Sequence, residues 1–99
     1  MKQIIVIYGA PHDPAHFDYH YEATHVPLVM KMPHLLDFRY SKGPVLSSPP
    51  ESAPHLVATL SYGSEADLAA SLESPEGKAA VADVANFASG GVTILTVTV

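Results

Sequence analysis

The run that most limits the fold is residues 3 to 8, QIIVIY, close to the N-terminus. Its β-branched and aromatic residues, followed by a glycine and a proline, predict a strand that ends in a turn. Side chains alternate along a strand, so Ile5 and Ile7 face one way and Ile4 and Val6 the other. Both faces are apolar. The strand therefore needs a cover on each side, which places it inside a sheet.

The residues after this strand predict a helix. Asp13 can cap it, and Pro14 suits its first position. Apolar and aromatic residues then recur at three- and four-residue spacing, which is typical of one helical face; they are Phe17, Tyr21, Thr24 with His25, Leu28 and Met32. Pro33 ends the pattern.

The rest of the chain alternates between strand and helix patterns. Residues 35 to 43 predict a second strand, a loop rich in proline and serine spans 43 to 54, and residues 55 to 62 alternate as a third strand. Residues 64 to 86 predict a helical region broken at Ser74-Pro75, with a serine cap at each start, and VTILTVTV forms the last strand. This β-α-β-β-α-β order predicts one ferredoxin-like α+β domain over residues 1–99.

The helices of such a fold cover only one face of its sheet. The first strand and the last carry hydrophobic residues on the other face too. A second copy of the same sheet is the simplest cover, since a domain of this size buries only about 60 to 68% of its unfolded surface. The pattern predicts a homodimer whose sheets pack face to face around a cavity.

Composition excludes several classes of function. The net charge is −5 with only five Lys and Arg, so no basic patch exists for nucleic acid. The absence of cysteine excludes a disulfide framework, thiolate metal sites and a cysteine nucleophile. No stretch approaches the roughly 20 apolar residues of a membrane span. We therefore expect a cytoplasmic protein without nucleic-acid or membrane partners.

His25 is the leading candidate for a catalytic residue. It stands two residues before Pro27, whose missing N–H removes the bond to the carbonyl of Ala23 and predicts a kink or restart. The kink can turn His25 toward a pocket at the end of the sheet. There an imidazole could act as a general acid or base near neutrality. Alternatively, His25 only satisfies the freed backbone groups.

Four other residues are candidates for the same cavity. His55 begins the third strand, and its alternation predicts that it faces the inter-sheet cavity, although it could also be exposed at the surface. Tyr40 could donate a hydrogen bond to a developing oxyanion, or simply pack. Tyr8 and Phe87 could form an apolar wall for the ligand, or belong to the core.

His16 and His20 stand four residues apart and could in principle share a metal ion. No third ligand has the spacing of a known motif, and Phe17 stands where a zinc-protease helix would carry glutamate. We therefore expect surface histidines and no metal. Because the glycines do not form a phosphate cradle, we also expect no nucleotide site. The sequence requires no other cofactor.

Three segments carry a family resemblance: Tyr21 to Leu28, with the pattern Y-x-x-x-H-V-P-L; SPEG at 74 to 77; and ANFASGGVT at 85 to 93. Together they resemble the EthD family, named for a bacterial ethyl tert-butyl ether degradation cluster. The resemblance covers the whole chain. It implies a dimeric α+β barrel, a fold shared by cofactor-free monooxygenases, lactone isomerases and haem-handling proteins.

The resemblance also suggests a site. A lactone isomerase of this superfamily has two histidines and a tyrosine in its pocket, and these match His25, His55 and Tyr40. The implied function is histidine-assisted proton transfer on a hydrophobic organic metabolite, as an isomerase, a cyclase or a cofactor-free oxidoreductase. The alternative is an accessory protein that binds a hydrophobic ligand or haem without catalysis.

Overall fold

The structure, a computed structural model, describes residues 1–99 and contains four strands and four α-helices. The strands are β1 (Lys2–Tyr8), β2 (Asp37–Tyr40), β3 (Leu56–Tyr62) and β4 (Val92–Thr98). The helices are α1 (Pro14–His20), α2 (Val26–Met30), α3 (Glu65–Glu73) and α4 (Pro75–Asp83). A π-helical turn, Tyr21–His25, joins α1 to α2, and 3-10 turns lie at Pro50–Ser52 and Val84–Asn86. None of the helices has the length and apolar character needed to cross a membrane.

The four strands form one antiparallel sheet in the order β2-β3-β1-β4. In the centre, Ile5 of β1 lies opposite Thr59 of β3 on one side and opposite Leu95 of β4 on the other. The helices pack on one face of this sheet. The architecture is the ferredoxin-like α+β fold, and it confirms the predicted order of elements.

The two faces of the sheet are covered to different extents. Ile4, Val6 and Tyr8 of β1 point toward the helices and are buried. Ile5 and Ile7 point to the opposite face, which no helix covers, and are only half-buried. We call this second face the open face. It also carries Val57 and Thr59 of β3 and Leu95 and Val97 of β4.

The first helical region begins as predicted and then changes its hydrogen bonding. The Asp13 carboxylate accepts a bond from the His16 N–H at 3.1 Å, and Pro14 is the first helical residue. Further along, the N–H of Val26 donates to the carbonyl of Tyr21, five residues earlier. Pro27 has no N–H to give to Ala23, and the chain responds by widening into a π turn. Because Val26 keeps helical backbone angles (φ −56°, ψ −47°), the helix continues and the predicted kink becomes a local expansion.

The π turn has a consequence for the side chains. Phe17, Tyr21, His25 and Val29 follow one another at four-residue spacing, and all four are buried. In a regular α-helix each such step overshoots a full turn by about 40°, so the fourth residue would leave the buried face. A turn that holds more residues removes this drift. His25 consequently stays on the face that packs against the sheet.

The second helical region breaks where the sequence predicts. Ser64 caps α3 by accepting the Asp67 N–H at 3.1 Å, and Ser74 caps α4 by accepting the Gly77 N–H at 2.9 Å. Only glycine fits at position 77, because a Cβ there would collide with the backbone carbonyl of Ser71. This close approach fixes where α4 begins, and so where its last residue, Asp83, is placed.

Candidate active site

An aromatic cluster lies between the helices and the sheet. The rings of Phe17 and Tyr21 stack at 5.8 Å, and Tyr8 meets both edge-on, at 5.4 Å from Phe17 and 5.8 Å from Tyr21. Phe87 completes the cluster 5.1 Å from Phe17. All four side chains are at most 3% exposed. Such edge-to-face packing holds neighbouring side chains in fixed orientations.

His25 lies against this cluster and binds an aspartate. Its ring is 4.8 Å from Phe87 and 5.2 Å from Tyr21. Its Nδ1 is 3.0 Å from Oδ2 of Asp83, at the end of α4, and each of the two side chains is 6% exposed. Helix and turn segments far apart in the sequence thus create a buried histidine–aspartate pair.

Asp83 has two further partners, both on its other oxygen. Nε2 of His20 lies 2.8 Å from Oδ1, and the Asn86 amide donates to Oδ1 at 3.0 Å. Burial alone would raise the pKa of Asp83, but the hydrogen bonds from Asn86, His20 and His25 outweigh it and hold that pKa below its usual range. The carboxylate therefore remains ionised at neutral pH.

The contact with Asp83 fixes the tautomer of His25. An ionised carboxylate only accepts, so Nδ1 of His25 must carry the proton and Nε2 of the neutral ring must have a free lone pair. No protein group hydrogen-bonds to Nε2. The pKa of His25 is lowered because burial disfavours the imidazolium, although the hydrogen bond and charge of Asp83 act in the opposite direction. At neutral pH the ring is an available base.

His25 opens onto an apolar cavity of about 210 Å³ between the helices and the sheet. Of its 15 lining residues 13 are hydrophobic, and the exceptions are His25 and Thr96. The phenols of Tyr8 and Tyr21 also line the cavity and make no hydrogen bond to the protein. Since no fully buried polar side-chain atom lacks a partner, both hydroxyls border open space. Burial raises the pKa of each, so both phenols stay neutral and can donate.

A second, larger cleft of about 580 Å³ lies on the outer side of Tyr21. It is polar and lined by Tyr40, His55, Asp18 and Glu22, among others. Nε2 of His55 contacts Oδ1 of Asp18 at 2.8 Å, and the pKa of Tyr40 is raised by burial and by the neighbouring carboxylate of Glu22. Tyr21 borders both spaces and forms the wall between them.

The five predicted site residues therefore do not share one cavity. His25 and Tyr8 line the apolar cavity, whereas Tyr40 and His55 line the polar cleft. Phe87 packs behind His25 in the aromatic cluster. All five lie on the helix side of the sheet, not in a space between two sheets.

The predicted orientation of His55 is wrong. Its ring lies 4.7 Å from Phe17 of α1, on the helix side. Strand β3 begins only at Leu56, so the alternation used for the prediction does not apply to the residue before it.

His20 was expected at the surface. It is partly buried, because its ring turns inward to Asp83. Although His20, His25 and Asp83 lie together, no group of three such side chains is arranged to hold a metal ion.

Sequence reasoning missed Asp83 and underrated Tyr21. A signal existed for each. Gly77, Ala80 and Asp83 recur at three-residue spacing on the buried side of α4, so an acidic residue continues a stripe of small ones. The strict four-residue spacing from Phe17 to Val29 indicates a helix that must widen, and Tyr21 begins that wider turn.

Comparison with known proteins gives the family. The model of the EthD domain matches residues 10–91. The chain belongs to the EthD family. An uncharacterized 11.0 kDa protein from Rhodococcus erythropolis is 46% identical over 95 residues, which cover 96% of this chain and 91% of that protein.

Two solved structures are similar to the chain. An ethyl tert-butyl ether degradation (EthD) family protein from Bacillus halodurans has a TM-score of 0.90 at 32% identity, covering all of this chain and 98% of the other. A dimeric ferredoxin-like protein of unknown function from Thermobifida fusca has a TM-score of 0.74 at 13% identity, with 99% and 90% covered. The second likeness concerns the fold alone.

Proposed function

We propose that this EthD-family protein is an enzyme that moves a proton on a small hydrophobic organic compound, with His25 as the base. One observation carries the proposal: a buried imidazole, oriented by an ionised aspartate, presents a free Nε2 to an apolar cavity. A base in this arrangement can accept a proton while the neighbouring carboxylate stabilises the imidazolium that forms.

The proposed step needs no outside reactant. An acidic C–H or O–H bond of the ligand breaks, its electron pair stays on the ligand, and the proton forms an N–H bond at Nε2 of His25. The resulting oxyanion accepts a hydrogen bond from the neutral phenol of Tyr8 or Tyr21. Return of the proton to a different ligand atom completes an isomerisation, the class of reaction that we favour.

Cavity size indicates the kind of ligand. About 210 Å³ is larger than the roughly 150 Å³ cavity that holds benzene, yet smaller than the roughly 300 to 1,000 Å³ of sites for drug-sized ligands. A single-ring compound with one polar group fits this space. We assign Tyr40 and His55 to the outer cleft, where they would contact the polar end of a longer ligand.

Deuterium exchange tests the proposal without knowledge of the product. The protein is incubated in D₂O with a panel of single-ring lactones, cyclic ketones and phenols, and incorporation into the ligand is followed by NMR. We expect exchange with the wild type and a loss of about 100-fold or more in His25→Ala. His34→Gln is the control, because this half-exposed histidine lies near Asp67 and not near Asp83. Equal exchange in His25→Ala and wild type would remove His25 from the mechanism.

Melting temperatures measured with the same ligands separate catalysis from binding alone. A ligand that raises the melting temperature without exchanging any proton would favour the accessory or binding role. Titration with hemin addresses the haem version of that role, since a Soret shift that disappears in His25→Ala would indicate haem ligation. The small volume of the cavity leads us to expect no such shift.

We also propose that the protein is a homodimer that uses the open face. Ile5, Ile7 and Leu95 form a contiguous apolar surface there, and the Thermobifida fusca protein of the same fold is dimeric. Leu95→Lys places a charge on this face, whereas Ile94→Lys places one on the opposite face of the same strand. In sedimentation experiments we expect Leu95→Lys to be monomeric and Ile94→Lys to remain dimeric. A wild type that stays monomeric at micromolar concentration would contradict the dimer.

A further inference from the structure

The carboxylate of Asp83 is shared by two histidines. Nδ1 of His25 contacts Oδ2 at 3.0 Å, and Nε2 of His20 contacts Oδ1 at 2.8 Å. Asn86 adds a third donor, at 3.0 Å from Oδ1. Each ring nitrogen must carry a proton to donate, so both imidazoles are oriented by one negative charge.

The two histidines differ in their access to water. The side chain of His20 is 19% exposed, whereas those of His25 and Asp83 are each 6% exposed. Removing an imidazolium from water is costly, and the cost is smaller where part of the ring remains solvated. Burial therefore disfavours the imidazolium of His25 in particular and lowers its pKa.

We propose that His20 is a positioning residue that sets the proton-accepting strength of His25 through their shared carboxylate. One carboxylate balances one imidazolium. When His20 holds a proton, Asp83 is paired with it, and His25 remains neutral with its Nε2 free. The inference depends on the proposed function only for the statement that His25 is the base.

Other groups around the pair do not compete for this role. Tyr8 from β1 and Tyr21 from the π turn face the same space, but burial raises the pKa of both phenols and keeps them uncharged. Asn86 carries no charge. The groups whose charge acts on the pKa of His25 are Asp83, which raises it, and His20, which lowers it.

NMR titration of the histidine rings tests the proposal directly and needs no substrate. His20→Gln keeps an N–H donor for Asp83 but removes the charge, so we expect the titration midpoint of His25 to move to higher pH. The control is His16→Gln, one turn earlier on α1, where the ring contacts the Asn86 carbonyl at 3.4 Å and does not reach Asp83. There we expect no movement. Backbone spectra confirm that each variant is folded.

The opposite shift provides a second measurement. In Asp83→Asn the carboxylate is lost, and the midpoint of His25 should move to lower pH. An unchanged midpoint in His20→Gln, or an equal shift in His16→Gln, would overturn the proposal. If the midpoint moves as expected but no ligand exchanges deuterium, the sharing of Asp83 stands and the proposed enzymatic function fails.

Discussion

Two of the histidine–aspartate contacts, His25 with Asp83 and His55 with Asp18, have nearly the same distance but different surroundings. His25 and Asp83 are 3.0 Å apart, and both side chains are 6% exposed. His55 and Asp18 are 2.8 Å apart, with exposures of 23% and 63%. Water competes for the hydrogen bond of the second pair, while the first pair is held without that competition. Contact distance alone does not distinguish the two pairs; burial beside a cavity makes the first pair the better candidate for catalysis.

The largest expected effect comes from replacing the buried aspartate. Asp83→Asn removes the charge that orients His25 and stabilises its protonated form. We expect deuterium exchange to fall by about 100-fold or more and the free energy of unfolding to fall by about 1–3 kcal/mol, because one of the two acceptor oxygens is replaced by an NH2 group and the donor facing it loses its partner. Exchange kinetics and urea unfolding measure the two effects. Wild-type exchange in this variant would show that the buried pair is only structural.

Filling the apolar cavity should have the next largest effect. Ala80 lines the cavity and is 5% exposed, so Ala80→Leu places a larger side chain where the ligand would lie. We expect ligand affinity to fall at least about tenfold, at a stability cost of about 1–3 kcal/mol. Ala79→Leu changes the neighbouring exposed residue and is the matched control. Calorimetric titration of both variants checks the result, and equal affinities would place the ligand elsewhere.

The buried pair should also make the stability of the protein depend on pH. The pKa of His25 is lowered in the folded protein from an ordinary value of 6.5, so the unfolded chain binds more protons as the pH falls below that value. Stability should therefore decrease on acidification through this range, and the lowered pKa of Asp83 adds a further decrease at lower pH. Urea unfolding at a series of pH values should show a flatter curve near pH 6 in His25→Gln than in wild type. A curve of unchanged slope would contradict the assignment.

The smallest effect is expected at the exposed pair. Asp18→Asn removes the charge facing His55 but leaves the contact of that ring with Phe17. Exposed ion pairs contribute about 0.2–1 kcal/mol, so we expect a change in stability within that range and an exchange rate within about threefold of wild type. A loss as large as that of Asp83→Asn would remove the distinction between the pairs and assign His55 a direct role.

The sequence by itself determined the fold. Local signals specify each element: the apolar run of β1, the alternation of β3, the caps at Asp13, Ser64 and Ser74, and the prolines that follow Asp13 and Ser74. Each signal acts over a few residues, so it is readable from the chain. The family follows from motifs of the same local kind, and His25 lies inside one of them.

Only the tertiary structure decided the site. His25 and Asp83 are 58 positions apart in the sequence, and no local pattern predicts that they contact each other. It depends on the π turn that holds His25 on the buried face and on the close approach at Gly77 that places α4. Packing likewise turned His55 toward Phe17 and separated it from His25. Residues distant in the sequence come together because whole helices and strands pack against one another. A single sequence predicts the helices and strands, but it does not predict how they pack.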